Sequence, residues 1–403
     1  MTPTHTAAQL PPIAGADPPV VTVDIRPHEQ DKLKVIWHHD QGGTYQPYLL
    51  DKAQLSHHAE AVREKLAPLI TAARAESKPF GPTLKALALA GRDLYESLFI
   101  DAANTRHIAQ EIREDLELRG SPCRILVKVD AQIHVPWGLM YCAPRATIPD
   151  SGHIDDLGGF ACLRHNLSTI YYRIPVLPKP RQGVPFQLLS VFHKGAFESA
   201  RRLLRPDEQA FADELLRRFS EPTYSRSEFE HRWRTAALKF GLIYFYCHSN
   251  GTELALDVED TVDIFTLRLL ANELPDAGER VCLLLMNGCG TAVGGPNGGF
   301  LQAASQPGFC GFIGTESKIP DVFALRFGTA FLHLFLTSGL PLWRVMAILW
   351  RQHWPLSLLY GIYGNPLVRV ESSGGMHDQP SELCRNFSTE AVGTNDMEGI
   401  AHD

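Results

Sequence analysis

The 403-residue chain has no CxxC pair among its eight cysteines and no secretory start. A disulfide scaffold needs a denser set of cysteines in a short secreted chain. We therefore expect reduced thiols, most of them buried. The cysteines lie at positions 123, 142, 162, 247, 282, 289, 310 and 384. The question is whether one of them carries out chemistry.

The sequence also lacks an apolar run of about eighteen residues, the length that a membrane-spanning helix needs. The nearest approach, Phe331–Trp343, is interrupted by His333 and Pro341. Residues 1–20 have no basic start and are rich in proline, alanine and threonine, which predicts a disordered leader rather than a signal peptide. We expect a cytoplasmic protein with no membrane contact.

Positive charge is in deficit, because 38 basic residues face 45 acidic ones and the formal net charge is −7. This balance argues against direct nucleic-acid binding through bulk charge. The glycine-rich stretch 294–299 lacks the Gly-Lys-Ser/Thr of a phosphate loop. The histidine pairs at 38–39 and 57–58 do not have zinc spacing. We expect neither a metal nor a cofactor.

The first half of the chain predicts a mixed α+β region at 21–150. Alternating apolar residues predict a hairpin and two later short strands, and helical spacing predicts three helices. The predicted strands are Val21–Ile25, Lys34–His38, Ile125–Val129 and Ile133–Pro136, and the predicted helices are Leu55–Ala73, Leu84–Ile100 and His107–Leu118.

The second half, 151–370, has short apolar runs that alternate with helical patterns. That rhythm is typical of a mostly parallel sheet with helices on both faces, the α/β class. The predicted strands are Leu188–Phe192, Leu242–Cys247, Val281–Met286 and Gly311–Ile313. The predicted helices are Pro206–Phe219, Ser227–Leu238, Phe265–Leu274, Asp321–Thr337 and Leu342–His353. The polar tail 371–403 is predicted to be disordered.

Two of the predicted buried strands run directly into reactive residues. His248 follows the strand Leu242–Cys247, and Cys289 follows the strand Val281–Met286 between two glycines. The carboxyl ends of parallel strands meet at one edge of a sheet, where function collects. A thiol beside an imidazole is a nucleophile with its base. Backbone N–H groups at such turns can bind an oxyanion.

This ordered set resembles the CHAT-domain proteases, relatives of the caspases and separases. The resemblance is carried by Cys247-His248-Ser249, by Asn287-Gly288-Cys289-Gly290, by the glycine-rich stretch and by Ile319-Pro320-Asp321. Upstream, Ile133–Tyr141 looks like the family's element ahead of the core, and Gly361–Pro366 looks like its closing segment. The resemblance covers roughly 85–370. It implies a caspase-like fold for the core and makes 21–150 an N-terminal regulatory or docking elaboration.

The resemblance implies a role for each matching residue. Cys289 matches the nucleophile and His248 the general base, and the backbone N–H groups of Ser249 and Cys289 match the oxyanion hole. Asp321 stands where related proteases keep an acid that faces a basic P1 side chain. An N-cap of the following helix is the alternative for Asp321.

Three positions depart from the family pattern. Ser249 replaces a glycine, Gly288 an alanine and Gly290 an acidic residue. Glu253 and Asp257 lie shortly after His248 and could orient its ring, but acids at such positions are more typical of a solvated loop. Cys247 and Cys282 lie within apolar strands as core residues, and no histidine is expected near the other cysteines.

The sequence therefore predicts a cysteine endopeptidase that acts on a protein substrate. Proteases of this type are often held inactive until a regulatory protein partner or signal orders their loops, and in bacteria the resemblance implies antiviral immunity or cell-death signalling. The alternative is a catalytically degenerate caspase-like adaptor that binds a partner through the same groove. An acyltransferase with the same dyad is a third, remote reading.

Overall fold

A computed structural model describes 20–29, 31–39, 43–74, 80–99, 112–117, 123–130, 132–148, 150, 158–171, 187–236, 240–273, 282–294, 298–306 and 309–370. It divides into two compact units, the first holding residues up to 131 and 135–168, the second 132–134 and 169 onward. Residues 1–19 of the predicted leader and the predicted tail 371–403 lie outside the described residues. The predicted domain ranges 21–150 and 151–370 stay predictions.

In the described part of the first unit, four strands lie in the order β3-β2-β1-β4. They are β1 (Val20–Pro27), β2 (Lys32–His39), β3 (Tyr48–Asp51) and β4 (Arg124–Val129). β1 and β2 form the predicted antiparallel hairpin, and β4 lies parallel to β1. Val21, Val23 and Ile25 are all buried, as the two-residue period requires of a strand with one face on a core.

Three helices follow in this unit, α1 (Lys52–Glu64), α2 (Leu66–Arg74) and α3 (Gly81–Ser97). The single helix predicted over 55–73 is wrong, because the chain breaks at Lys65. Pro68 has no N–H to donate to the preceding turn, so a new helix begins at Leu66 and holds Pro68 in its first turn. Of the third predicted helix, residues 112–117 are described and are helical. The last helix described in this unit is the short α4 (Ala161–His165).

The predicted strand Ile133–Pro136 does not form, and a single turn of 3₁₀ helix at Trp137–Leu139 follows it. Ile133 and Val135 are buried, so the alternation in the sequence reports burial without strand pairing. Pro136, which lacks a backbone donor, ends the stretch.

The second unit is built on a mostly parallel sheet in the order β5-β13-β12-β11-β7-β6. Its strands are β5 (Ser168–Tyr171, of which Thr169–Tyr171 belong here), β6 (Gln187–Phe192), β7 (Phe240–Tyr246), β11 (Cys282–Asn287), β12 (Phe309–Thr315) and β13 (Tyr360–Gly364). β6, β7, β11 and β12 run parallel to one another, and β13 runs antiparallel to β12. The α/β class with a mostly parallel sheet is confirmed.

Helices of two groups flank this sheet. One group comprises α5 (Lys194–Arg202), α6 (Pro206–Phe219), α10 (Asp321–Thr337) and α11 (Leu342–Gln352). The other comprises α7 (Arg226–Ala236), α8 (Ile264–Asn272) and α9 (Phe300–Ala304). Within each group the helices pack on one another. This arrangement covers a sheet whose central strands are buried along their whole length.

A small antiparallel sheet of β8 (His248–Ser249), β9 (Glu253–Ala255) and β10 (Thr261–Asp263) leads out of β7. It holds the segment after β7 in an extended course at the carboxyl edge of the large sheet. Among the described residues, no helix combines the length and the apolar character that crossing a bilayer requires.

Candidate active site

The carboxyl ends of β7 and β11 lie side by side. The two strands are parallel neighbours, with Asn287 opposite Tyr246. His248 and Cys289 each follow this register pair by two residues, and both line one cleft. His248 is exposed and Cys289 is half-buried. The structure thus brings together the two residues that the sequence predicts as base and nucleophile.

Two threonines brace the turn that carries Cys289. The hydroxyl of Thr291 donates to the carbonyl of Met286 at 3.0 Å, and the hydroxyl of Thr315, at the end of β12, donates to the carbonyl of Gly288. The N–H of Thr315 in turn donates to the Thr291 hydroxyl at 3.0 Å. Both threonines are fully buried. Such a satisfied buried network gives the turn one defined course.

Gly290 completes the turn. Its φ of 63° lies in the left-handed region, which glycine enters without the Cβ penalty. Its N–H donates to the carbonyl of Ser317 at 2.9 Å. The Cys289 sulfur lies 4.0 Å from the carbonyl oxygen of Ile319. The absence of an acidic residue at 290 is therefore explained by backbone geometry.

Asn287 ties the nucleophile's strand to its neighbours. Its side-chain amide donates to the hydroxyl of Tyr244 at 3.2 Å and to the carbonyl of Ala324 at 2.5 Å. Its side-chain oxygen accepts from the hydroxyl of Tyr360 on β13. A buried asparagine with partners on three elements fixes the end of β11 relative to β7, α10 and β13.

The turn after His248 differs from the family pattern in a way that the geometry explains. Ser249 lies in the extended strand β8 and has no positive φ, so it does not need to be glycine. Its hydroxyl accepts from the N–H of Gly251 at 3.0 Å. A Cβ added at Gly288 would lie 3.2 Å from the Cβ of Ser249 and 2.7 Å from the carbonyl oxygen of Cys247. The side chain of Ser249 thus fits because residue 288 is a glycine and has no Cβ.

Asp321 lines the same cleft as Cys289 and His248. The N-cap of α10 is Pro320, and Asp321 is the first helical residue, so the N-cap alternative is wrong. The carboxylate is half-buried, and the main-chain carbonyl of Asp321 accepts from the hydroxyl of Tyr246 at 2.9 Å. Its carboxylate lies in the first turn of the helix, where a negative charge is favourable.

A second histidine, His193, stands beside His248 and was missed in the sequence. It follows β6, and its ring centroid lies 4.8 Å from that of His248 in an edge-to-face contact. Its Nδ1 accepts from the N–H of Ala196 at 3.0 Å and so caps α5. A polar residue directly after a buried strand is the signal that singled out His248, and it applies equally here.

The pKa of His193 is lowered, mainly by burial and then by the nearby positive charge that His248 can carry. The carboxylates of Asp257 and Asp321 act in the opposite direction. The other acid that could orient His248, Glu253, accepts instead from the side chain of Asn250 at 3.1 Å.

The seven cysteines that the structure describes carry thiols, and six of them are buried; Cys289 is the exception. Burial raises the pKa of Cys142 and Cys247, and that of Cys310 to about 12, which makes them poor nucleophiles. The expectation that Cys123 has no histidine nearby is wrong, since its sulfur lies 3.2 Å from Nδ1 of His165. Both are fully buried, so no substrate reaches them.

In the part of the chain that the structure describes, no three His, Cys, Asp or Glu side chains are grouped so that they could hold a metal ion. Residues 295–297 of the glycine-rich stretch lie outside the described residues.

No protein-family model and no curated protein matches the sequence. Among solved structures, the chain is similar to the Arg-specific cysteine proteinase gingipain R, with a TM-score of 0.44 and 8% identity over 67% of this chain and 70% of that one. It is also similar to the complex of the pro- and mature domains of Porphyromonas gingivalis RgpB, with a TM-score of 0.41 and 9% identity over 65% and 69%. Similarity at this level carries no functional argument, so the function is argued from the residues of the cleft.

We predict that the H193N variant loses less stability in acid than the wild type does. The unfolded chain binds the proton at position 193 more readily than the folded one, so stability falls as the pH drops below about 6.5. Asparagine keeps the cap acceptor and cannot be protonated. Urea unfolding at pH 7.5 and 5.5 measures the difference. His333 and His353, whose pKa values are also lowered, remain in both proteins. Equal acid losses would contradict the prediction.

We predict that G288A destabilises the protein by about 1–3 kcal/mol, because the new methyl group overlaps the Cys247 carbonyl and the Ser249 side chain. Adding S249G should recover part of that loss, with a coupling of about 0.5 kcal/mol or more. The single variant S249G is the control for the lost bond to Gly251. Strictly additive unfolding free energies across this double-mutant cycle would show that the two positions are independent.

Proposed function

We propose that the second unit is a cysteine endopeptidase of the caspase-like type, with Cys289 as nucleophile and His248 as general base. The observation that carries the proposal is the shared cleft: a half-buried thiol and an exposed imidazole follow adjacent parallel strands in register. Six of the seven described cysteines are buried, whereas Cys289 can be reached by a substrate.

The reaction follows from these positions. His248 takes the thiol proton as the Cys289 sulfur forms a bond to the carbonyl carbon of a peptide, and the carbonyl electrons move to oxygen. The backbone N–H groups of Ser249 and Cys289 hold this oxyanion. Collapse of the intermediate breaks the C–N bond, and His248 gives its proton to the leaving amine. Water, deprotonated by His248, then attacks the thioester and releases the acid and the thiol.

The N–H of Gly290 is not part of this oxyanion hole, because it donates to Ser317. That bond instead fixes the turn so that the N–H of Cys289 keeps one direction. Electrostatic preorganisation of this kind contributes most when the donors need not reorganise during the reaction.

Because Asp321 is an acidic residue of the cleft, we propose that the substrate carries lysine or arginine at P1. Asp321 is half-buried and lines the cleft together with Tyr246, Ile319 and Ala324. The charged head of a lysine or arginine that enters the cleft would pair with its carboxylate.

We further propose that the protein belongs with the CHAT-domain proteases and acts in the cytoplasm on a protein substrate. Activation by a regulatory protein partner and a part in bacterial immunity or cell-death signalling belong to this proposal. They are supported by the resemblance of residues 240–366 to that family. The departures from the family pattern at 249 and 290 would favour the adaptor alternative if they distorted the site, but both residues fit the local backbone.

We predict that the protein cleaves peptides with lysine or arginine at P1, and that C289A abolishes the cleavage. Loss of the nucleophile should lower the rate by at least about a thousand-fold. D321N should lower kcat/KM for basic P1 by about a hundred-fold and leave an apolar P1 less affected. Fluorogenic peptides read out by initial rates give both numbers. E259Q, at an exposed acid outside the cleft, is the matched control.

Cleavage by C289A at the wild-type rate would rule out Cys289 as the nucleophile. No cleavage of any peptide by the wild type, together with stable binding of a partner by both C289A and the wild type, would favour the adaptor. Equal losses in D321N for basic and apolar P1 would remove Asp321 as the specificity residue.

A further inference from the structure

A buried acid, Glu316, lies directly after β12 and takes no part in the reaction above. It is 3% exposed. Its carboxylate accepts from the hydroxyl of Tyr363 on β13 and lies 3.2 Å from Nε2 of His134. Nδ1 of His134 lies 2.8 Å from the hydroxyl of Tyr171 on β5. All four residues belong to the second unit.

The main chain after β12 is the wall against which the nucleophile turn rests. We call residues 315–319 the wall segment. Thr315 contacts the Gly288 carbonyl through its hydroxyl, and its own carbonyl accepts from the N–H of Ala292 at 2.9 Å. Ser317 accepts from Gly290, and the Ile319 carbonyl lies near the sulfur of Cys289. Several contacts of the turn therefore depend on where this one segment lies.

Glu316 anchors the wall segment twice. Its N–H donates to the carbonyl of Leu359 at 2.8 Å, just before β13, and its side chain bonds to Tyr363 within that strand. The Tyr363 ring also packs near His134, with centroids 5.4 Å apart. The anchor thus joins the wall segment to the opposite side of β12 from the nucleophile.

We propose that Glu316 is a positioning residue for Cys289, acting through the wall segment; this inference rests on the proposed peptidase function. A buried carboxylate is costly unless hydrogen-bond donors surround it. Here the hydroxyl of Tyr363 donates to it and Nε2 of His134 lies within hydrogen-bond distance, at the start of the segment that also carries Ile319 toward the cleft. Removal of the anchor lets the wall segment shift, and the Cys289 turn shifts with it.

The role also explains why an acid suits this position. The oxygens of a carboxylate accept hydrogen bonds, which matches the hydroxyl of Tyr363 and the His134 tautomer that carries its proton on Nε2. Glutamine has the same shape, but its amide nitrogen brings donors to a place where donors already converge. We therefore expect the reactivity of Cys289 to be highest in the wild type, lower in E316Q and lowest in E316A.

The test measures the rate at which a lysine-terminated peptide acyloxymethyl ketone labels Cys289 in the full chain. We expect labelling at least about ten-fold slower in E316A, since a shift of about 1 Å at a reacting group can cost ~100-fold. E316Q and Y363F should fall between. E117Q is the matched control: it alters another carboxylate of low exposure, which pairs with Arg92 in the first unit, and should leave the labelling rate unchanged.

Hydrogen exchange supplies a readout that does not depend on activity. In E316A, the amides of Gly290 and Ala292 should exchange faster than in the wild type, because their acceptors lie in the wall segment. In E117Q they should not. Thermal unfolding curves establish that each variant is folded at the assay temperature. If E316A does not fold, E316Q and Y363F carry both readouts.

Wild-type labelling rates and wild-type exchange at 288–292 in the folded variants would overturn the inference and leave the proposed function standing. Failure of wild-type Cys289 to react both with this probe and with one that ends in an apolar residue would instead remove the proposed function. In that event, faster exchange at 288–292 in E316A would still show that Glu316 positions the turn, and unchanged exchange would show that it does not.

Discussion

The parallel pairing of β7 with β11 is the constraint on which the site depends. Because Asn287 lies opposite Tyr246, the residues two positions later leave the sheet together. One residue of slip would move the side chains of one strand to the other face of the sheet. The site is thus a consequence of register, and the buried apolar side chains of both strands fix that register.

Next to this strand pair, several hydrogen bonds hold the turn that carries Cys289. Thr291 and Thr315 satisfy its carbonyls, Gly290 provides its left-handed residue, and Asn287 joins it to three elements. Buried polar groups are tolerated when each has a hydrogen-bond partner. A fully satisfied network stabilises one conformation of the turn relative to the alternatives. The half-exposed thiol is therefore presented by a rigid support, while His248 on the adjacent turn stays open to solvent.

Sequence patterns predict much of this fold because they report burial. α6 and α10 begin and end at the predicted residues, and the central strands are displaced by one to two residues. The errors occur where burial and secondary structure separate. The stretch 133–136 alternates like a strand but pairs with none, and the helix over 55–73 breaks ahead of Pro68.

The site is predicted in part for a related reason. His248 and Cys289 stand out because each follows a buried strand, and that rule would also have found His193. Glu316 and His134 carry no such mark in the sequence. They lie 182 positions apart, and only the tertiary fold brings them together. The closeness of Cys123 to His165 is hidden for the same reason. Long-range contacts between buried polar residues are what local patterns do not contain.

The central claim is that His248 and Cys289 act as one unit. It is tested most directly by mass-spectrometric measurement of Cys289 modification by a thiol-reactive peptide in the wild type, H248A and H231A, the last an exposed histidine on α7. A positioned base contributes about 10²–10⁴-fold to such a step. The account predicts at least about a hundred-fold slower modification in H248A and no change in H231A. Equal rates in all three proteins would contradict it.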